Sequence, residues 1–352
     1  MGGGTGLSSL LHGLKEYVLD DRSIGSQPAP ANGASKLPPL VKQLTAVVTV
    51  SDDGGSSGRL RREFRVLPPG DIRNCLVALS EDEALLSRLF QFRFSSGRGL
   101  KGHSFGNLFL TALTGVTGEF QEAIRVSGEV LATRGRIFPS TNSDVNLEAV
   151  MEDGSVVRGE TRVSHSRSRI ERVRLTPANC RPLPETLAAM AEADVITMGP
   201  GSLFTSLIPN LLVRGVAKQM AHSRAARIYI CNLMTQPGET TNFSAADHLR
   251  AIYDHCGSPV FDYVLLNIKP VSPALRKRYL AGRSRPVEYD IEELERLGVE
   301  VFTANVLSEG RPSPSAPRKI RHHSGRLAKA VLDIASNHRR KNSGVNRKAS
   351  RA

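Results

Sequence analysis

Residues 43–64, QLTAVVTVSDDGGSSGRLRREF, run from a continuous apolar, β-branched stretch into two aspartates, a glycine-serine loop and a basic segment. An apolar run without polar alternation is the pattern of a strand covered on both faces in a parallel sheet. Asp52 and Asp53 then fall at the C-terminal end of that strand, the edge on which open α/β sheets place their ligands. The same pattern returns in ADVITMG (193–199), RIYICNL (227–233), DYVLLNI (262–268) and VEVFTANV (299–306), with helical periodicity after Pro200-Gly201-Ser202, over 244–255 and near 272–280. Strands and helices alternating at this spacing imply βαβ units and a Rossmann-like, doubly wound, mostly parallel α/β sheet with helices on both faces.

Between these halves the sequence changes character. A helical block covers roughly 71–80, 82–94, 104–116 and 119–133, after which NLEAVMEDGSVVRGE reads as two short strands around Asp153-Gly154 and RIERVRLT as a third. The expected organisation is an N-terminal half over 1–135, a small β-rich subdomain over 136–176, a C-terminal half over 177–335 and a disordered basic tail over 336–352. Residues 20–39, DDRSIGSQPAPANGASKLPP, lack periodicity and read as a flexible surface insertion.

The chain opens MGGGTGLSSLL, a glycine loop running into a helix over 5–17 with Leu7, Leu10, Leu11 and Leu14 on one face. Such loops follow a strand, yet only Met1 precedes Gly2. The expectation is a start later than the natural one, leaving the first strand out; the alternative is that another segment or a neighbouring chain fills its place.

Eleven of the 47 Lys and Arg lie from Arg318 onward, against Asp333 alone, so the preceding 317 residues carry only about +3 of the net +13. Contact with nucleic acid would therefore rest on the tail, through charge alone. Cys75, Cys180, Cys231 and Cys256 show no C-x-x-C spacing, which argues against a disulfide scaffold or zinc site and fits a reducing cytoplasm. No apolar run reaches the length of a membrane span, and no signal-peptide pattern opens the chain.

Chemistry-bearing residues cluster at the strand ends. In GGGTG, the backbone amides beside Gly3 and Gly6 and the hydroxyl of Thr5 can converge on an oxyanion, or the stretch is a tight turn. Asp52 and Asp53 together need a cation, a hydroxyl or backbone donors, while Arg59 can face a phosphate. LPPGDIRNCLVALS places Asp71 as a helix cap with Arg73 and Asn74 in the first turn, either as substrate contacts or as structure. In GHSFGNLFLTAL, His103 and Ser104 precede a helix and Asn107 lies one turn in; the adjacent Ser and His cannot form a catalytic triad. MGPGSLFTSLIPN offers a second phosphate cradle at Gly199, Gly201 and Ser202, and CNLMTQPGETTNFSAADHL brings Asn232, Thr235, Gln236 and Thr240 to the next strand end. Together these turns describe one long cleft for a polar, phosphorylated ligand.

In the order GGGTGLSSLL, TVSDDGGSSGRLR, LPPGDIRNCLVAL, GHSFGNLFLTAL, GPGSLFTSLIPNLL and CNLMTQPGET, the chain resembles the gluconeogenesis-factor branch of the CofD-like family, related to 2-phospho-L-lactate transferase, from Gly2 to about Arg326. The resemblance implies a bacterial, cytoplasmic regulator that binds UDP-sugars such as UDP-N-acetylglucosamine and affects gluconeogenic growth, cell shape and peptidoglycan synthesis. It also implies, as the alternative, a metal-dependent transferase of phospholactyl or nucleotidyl groups, with Asp52 and Asp53 holding a divalent ion such as magnesium.

By the same resemblance Gly3, Thr5 and Gly6 form the first phosphate loop and Gly199, Gly201 and Ser202 the second. Tyr279 is expected to stack on uracil or sugar and Arg321 to pair with the diphosphate. The expected ligand set also includes Arg59, Arg73, Asn74, His103, Asn107, Asn232 and Thr235, with no catalytic residue assigned and no cofactor required. Expected partners are wall-synthesis or metabolic proteins and further copies of the chain. Arg321-His-His-Ser324 departs from the family's acidic residue after Arg-His and has the spacing of a Ser/Thr kinase site at Ser324.

Overall fold

The computed structural model describes residues 1–19, 40–81, 85–166, 168–310 and 317–349, so the 20–39 insertion lies outside the described residues. Its centre is a parallel sheet in the order β6 (Val195–Met198), β7 (Ala226–Ile230), β8 (Tyr263–Asn267) and β9 (Glu300–Ala304). The burial of β7 and β8 is two-sided, as their apolar runs imply, whereas β6 is buried at alternate positions and β9 is only partly covered. Ile228, Ile230, Tyr263 and Leu265 meet α14 (Ser324–Ala349) on one face. Tyr229, Val264 and Leu266 turn to the other, with Leu249 and Ile252 of α11 (Ala245–Cys256).

A second parallel pair, β1 (Thr45–Val48) and β2 (Arg136–Pro139), lies beside this sheet. Met1 and Gly2 stand between the two. The Gly2 amide donates to the Val47 carbonyl (3.0 Å) and the Thr49 amide to the Gly2 carbonyl (2.9 Å). On the other side Met1 donates to the Thr197 carbonyl (2.6 Å) and accepts from the Gly199 amide (3.2 Å). Two residues thus hold the central position that the sequence leaves for a first strand. Because β2 pairs with β1, residues 136–139 belong to this main layer rather than to the β-rich insert.

α1 (Gly4–Leu14) follows directly and divides its apolar face between two clusters. Leu7 and Leu11 pack with Ile72, Cys75 and Leu76 of α3 (Gly70–Leu79), whereas Leu10 and Leu14 pack with Leu327, Val331 and Ile334 of α14. The other N-terminal helices are α2 (Gly55–Phe64), a short α4 (Leu86–Gln91), α5 (Phe105–Thr117) and α6 (Phe120–Val130). The insert is an antiparallel sheet, β4 (Val156–Arg158), β3 (Asn146–Met151) and β5 (Ile170–Thr176), with α7 (Glu160–Ser164) between its last two strands. Buried Arg61 of α2 fastens its entry, donating to Asp144 (2.7 Å), the Val145 carbonyl (2.6 Å) and Asn146 (3.1 Å).

The C-terminal half adds α8 (Pro184–Glu192), α9 (Ile208–Leu212), α10 (Val216–Ala221), α12 (Pro273–Ala281) and α13 (Ile291–Arg296). A two-residue antiparallel bridge joins β10 (Leu307–Ser308) to β11 (Arg321–His322). The expected disorder of 336–352 is corrected over 336–349, which continue α14. The helical spacing of Leu327, Val331 and Ile334 carries on to His338, whose Nδ1 lies 2.9 Å from the Tyr263 hydroxyl, and Lys341 pairs with Glu300 at 2.6 Å. Among the described residues no helix is long and apolar enough to cross a membrane. All four cysteines are free.

Candidate functional site

The glycine loops come together at the C-terminal edge of the sheet, around a cavity of about 990 Å³. The glycines of the first loop are needed for different reasons, close packing at Gly3 and Gly6 and backbone conformation at Gly4. A Cβ on Gly3 would stand 2.7 Å from an Asp71 carboxyl oxygen, and one on Gly6 would stand 2.2 Å from the Pro200 carbonyl. Gly4 has φ +64, a conformation that side chains resist. The second loop, with a cis Gly199–Pro200 peptide, leads into a π-turn over Leu203–Leu207 and then α9. Asn232 clamps this loop: its amide accepts from the Gly201 N–H (3.2 Å) and donates to the Gly201 carbonyl (2.7 Å). Gln236 donates to the Ser202 hydroxyl at 2.8 Å, and its own Oε1 is buried without a partner among the described residues.

Ten of the expected ligand residues line this cavity: Gly3, Thr5, Gly6, Asp52, Gly201, Ser202, Asn232, Thr235, Tyr279 and Arg321. Tyr279 and Arg321 stand at the wall formed by α12 and β11, where the Tyr279 hydroxyl accepts from the Ile320 amide (3.0 Å) and the Arg278 guanidinium covers the ring at 5.3 Å. Ser284 lies beside them, donating to the Thr235 carbonyl at 2.6 Å.

The remaining expected residues are not in the lining. Asp53 turns to the insert, where one carboxyl oxygen accepts both the amide (2.9 Å) and the hydroxyl (2.7 Å) of Thr161. Arg59 donates to the Lys101 carbonyl (2.9 Å). Arg73 donates to Ser104 (2.6 Å), Asn107 (3.1 Å) and Asn74 (2.7 Å). His103 and Asn107 share the Ser56 hydroxyl at 2.9 and 3.1 Å. These side chains tie α2, α3 and α5 into one frame behind the Asp52 loop. Gly199, with φ +89, lies just outside the lining, its amide used by Met1.

Three carboxyls absent from the expected set face the cavity with Asp52: Asp71, Glu160 and Glu239. Burial pushes the Asp71 carboxyl up to about 6, with repulsion from Asp52 adding and the Gly4 amide opposing. Burial also raises Asp52, although the Gly54 amide donates to it at 2.8 Å. Glu160 is raised well above the ordinary glutamate range by burial and by the three other carboxyls. Glu239 is raised by burial and accepts from the Phe204 amide (3.3 Å), Thr205 (3.2 Å) and Ser164 (3.3 Å). Asp71 reads in the sequence as an ordinary helix cap, and Glu160 belongs to the insert; only the Glu of PGETT, beside the polar turn, carries a local signal.

The expected metal pair does not fit this arrangement. Asp52 lines the cavity, whereas Asp53 lies outside its lining with a carboxyl oxygen taken up by Thr161, and no three His, Cys, Asp or Glu side chains among the described residues converge as a metal site. Asp53 serves the insert instead.

A doubly wound sheet with two glycine loops packed at its C-terminal edge defines a Rossmann-like α/β protein whose crevice lies where such folds place their ligands. The family model described as 2-phospho-L-lactate transferase CofD matches residues 1–307, and the chain belongs to that family. It lies with the gluconeogenesis factors: it is 44% identical to the gluconeogenesis factor of Bacillus subtilis over 95% of this chain and 96% of the relative. It is 43% identical to that of Halalkalibacterium halodurans over 94% of each. A crystal structure of a Bacillus halodurans protein, 44% identical, superposes with a TM-score of 0.83 over 94% of this chain and 97% of its own.

Proposed function

We propose that the cleft binds a UDP-sugar of the UDP-N-acetylglucosamine type, and that the chain acts in the cytoplasm as a ligand-responsive regulator of central carbon flux, cell shape and peptidoglycan synthesis. The observation that carries this reading is the main-chain contact between Gly6 and Pro200, which places both glycine loops against one cavity with Tyr279 and Arg321 on its wall. Loop amides at a helix start suit a diphosphate. Arg321 supplies a bidentate cation, and Tyr279 a ring for uracil or sugar. The link to central carbon flux takes up the name gluconeogenesis factor that its relatives carry; wall-synthesis or metabolic protein partners and an oligomer of this chain are parts of the same proposal.

The test is a calorimetric titration with UDP-N-acetylglucosamine, UDP-glucose and GDP. Selective binding of a UDP-sugar, weakened at least tenfold by Tyr279→Ala or Arg321→Ala with the melt unchanged, supports it. Absence of binding overturns it. With the Asp53 carboxyl outside the cavity lining and engaged by Thr161, chelation of magnesium should leave the affinity unchanged.

The four cavity carboxyls favour a second reading, a transferase acting on a nucleotide-diphosphate substrate, with Asp71 moving a proton near neutral pH. Turnover of a phospholactyl-type donor, lost in Asp71→Asn, would select it over the sensor. Ser324 opens α14 beside Arg321, so a phosphate there would compete with a bound diphosphate. Intact mass of the native protein, with and without phosphatase, tests that modification.

A further inference from the structure

A second cavity, of about 460 Å³, opens over the ends of β7 and β8, on the reverse side of the ribbon that bounds the first. That ribbon pairs 233–235 with 285–287: the Thr235 amide donates to the Arg285 carbonyl (2.8 Å), the Arg285 amide to the Thr235 hydroxyl (3.1 Å) and the Val287 amide to the Leu233 carbonyl (3.2 Å). Thr235 and Ser284 face the first cavity, whereas Arg285, Pro286 and Val287 face the second. The volume lies within the ~300–1,000 Å³ of small-molecule sites, and the location is again the C-terminal edge of a parallel sheet.

Its lining is amphipathic in a particular way. Lys269, Arg276 and Arg285 face one acid, Glu288. Among the described residues neither guanidinium has an ion-pair or hydrogen-bond partner, and Glu288 pairs with neither. Around them the wall is apolar: Ile268 and Leu280 are about half exposed (53% and 50%) and Tyr289 is 39% exposed, each a side chain that water would leave bare. Two unpaired guanidiniums beside a ring and aliphatic walls match an oxyanion attached to a compact apolar or aromatic body.

We infer that this cavity is a separate binding site for a small phosphate ester, distinct from the nucleotide-sugar cleft and independent of the reading of that cleft. A carboxylate presents the same planar acceptor edge, so the two sources must be compared directly. Phenyl phosphate and benzoate are titrated calorimetrically into the full chain. Phenyl phosphate is expected to bind saturably and about tenfold more tightly than benzoate. Arg276→Gln and Arg285→Gln should each weaken it by about tenfold, while Tyr279→Ala leaves it unchanged. Arg285 joins the ribbon through its main chain, so its side chain is replaceable without loss of those bonds; a melt of each variant verifies the fold.

Saturable binding abolished equally by Tyr279→Ala would assign the probe to the first cleft and overturn the proposal. So would the absence of saturable binding, an affinity indifferent to both arginines, or benzoate binding the tighter. Because UDP-sugar binding is read in a separate titration, its failure would leave this result standing.

Discussion

Gly6 meets the carbonyl of Pro200 so closely that a Cβ would stand 2.2 Å from the oxygen, and the Gly201 amide lies only 3.1 Å from the same point. The first turn of α1 and the second glycine loop therefore touch main chain to main chain, although 194 positions separate them in the sequence. What the glycines provide here is proximity between two loops.

Gly6→Ala should consequently separate the loops. We expect UDP-sugar affinity to fall at least tenfold and the melt to drop by several degrees. Gly4→Ala is the contrast: it meets nothing within 4 Å but sits at φ +64, so it costs only the backbone term of about 1 kcal/mol. Parallel calorimetry and melting of both variants separates steric from conformational need.

Asp71 predicts a pH dependence. Its carboxyl is held at about 6 in the fold against an ordinary 3.8. Between those values the native state keeps a proton that the unfolded chain has lost, so stability falls as pH rises through that window. The contribution is about 3 kcal/mol at most. Asp71→Asn keeps an acceptor for the Gly4 amide, and it should flatten the decline and stabilise the protein at pH 7.5. Anion binding in the wild type should weaken as pH rises through about 6, where native Asp71 ionises and repels a phosphate. Urea titrations at half-unit pH steps test both.

Gly13→Ala reverses a familiar sign. Alanine in a helix interior ordinarily gains about 1 kcal/mol over glycine. Here the new Cβ would stand 2.1 Å from the Ser324 carbonyl, forcing α1 and α14 apart at a cost of about 1–3 kcal/mol. A lowered urea midpoint with unchanged m-value is the expected result.

Arg61→Met tests the attachment of the insert. It removes donors from the Val145 carbonyl and Asn146, costing about 2 kcal/mol. Limited proteolysis should then cut first near 143–146.

The parallel sheet was legible because two-sided burial writes itself as uninterrupted apolar runs, as in RIYICNL and DYVLLNI. The glycine loops were legible for a related reason: a strand end followed by Gly-rich sequence has few other uses. Direction was not legible. Arg73, Asn74, His103 and Asn107 are polar residues near helix starts whether they face a ligand or one another, and the fold turns them to one another. Glu160 reaches the cavity only because the β3–β5 sheet carries α7 back across the cleft, a tertiary fact with no local mark. The helix over the basic tail is not legible because its charges mask a face that continues to His338 and Lys341.

The cavity wall takes residues from Gly3 at one end of the chain to His322 near the other, with Glu160 from the middle. An occupant would therefore be held by stretches from both ends and from the middle of the polypeptide at once. Its arrival should be felt as slower amide exchange in α1, the insert and β11 together, in step and not region by region. By the same token, no contiguous half of the coding sequence specifies a working receptor, and two halves expressed apart would recover binding only by reassembling the whole.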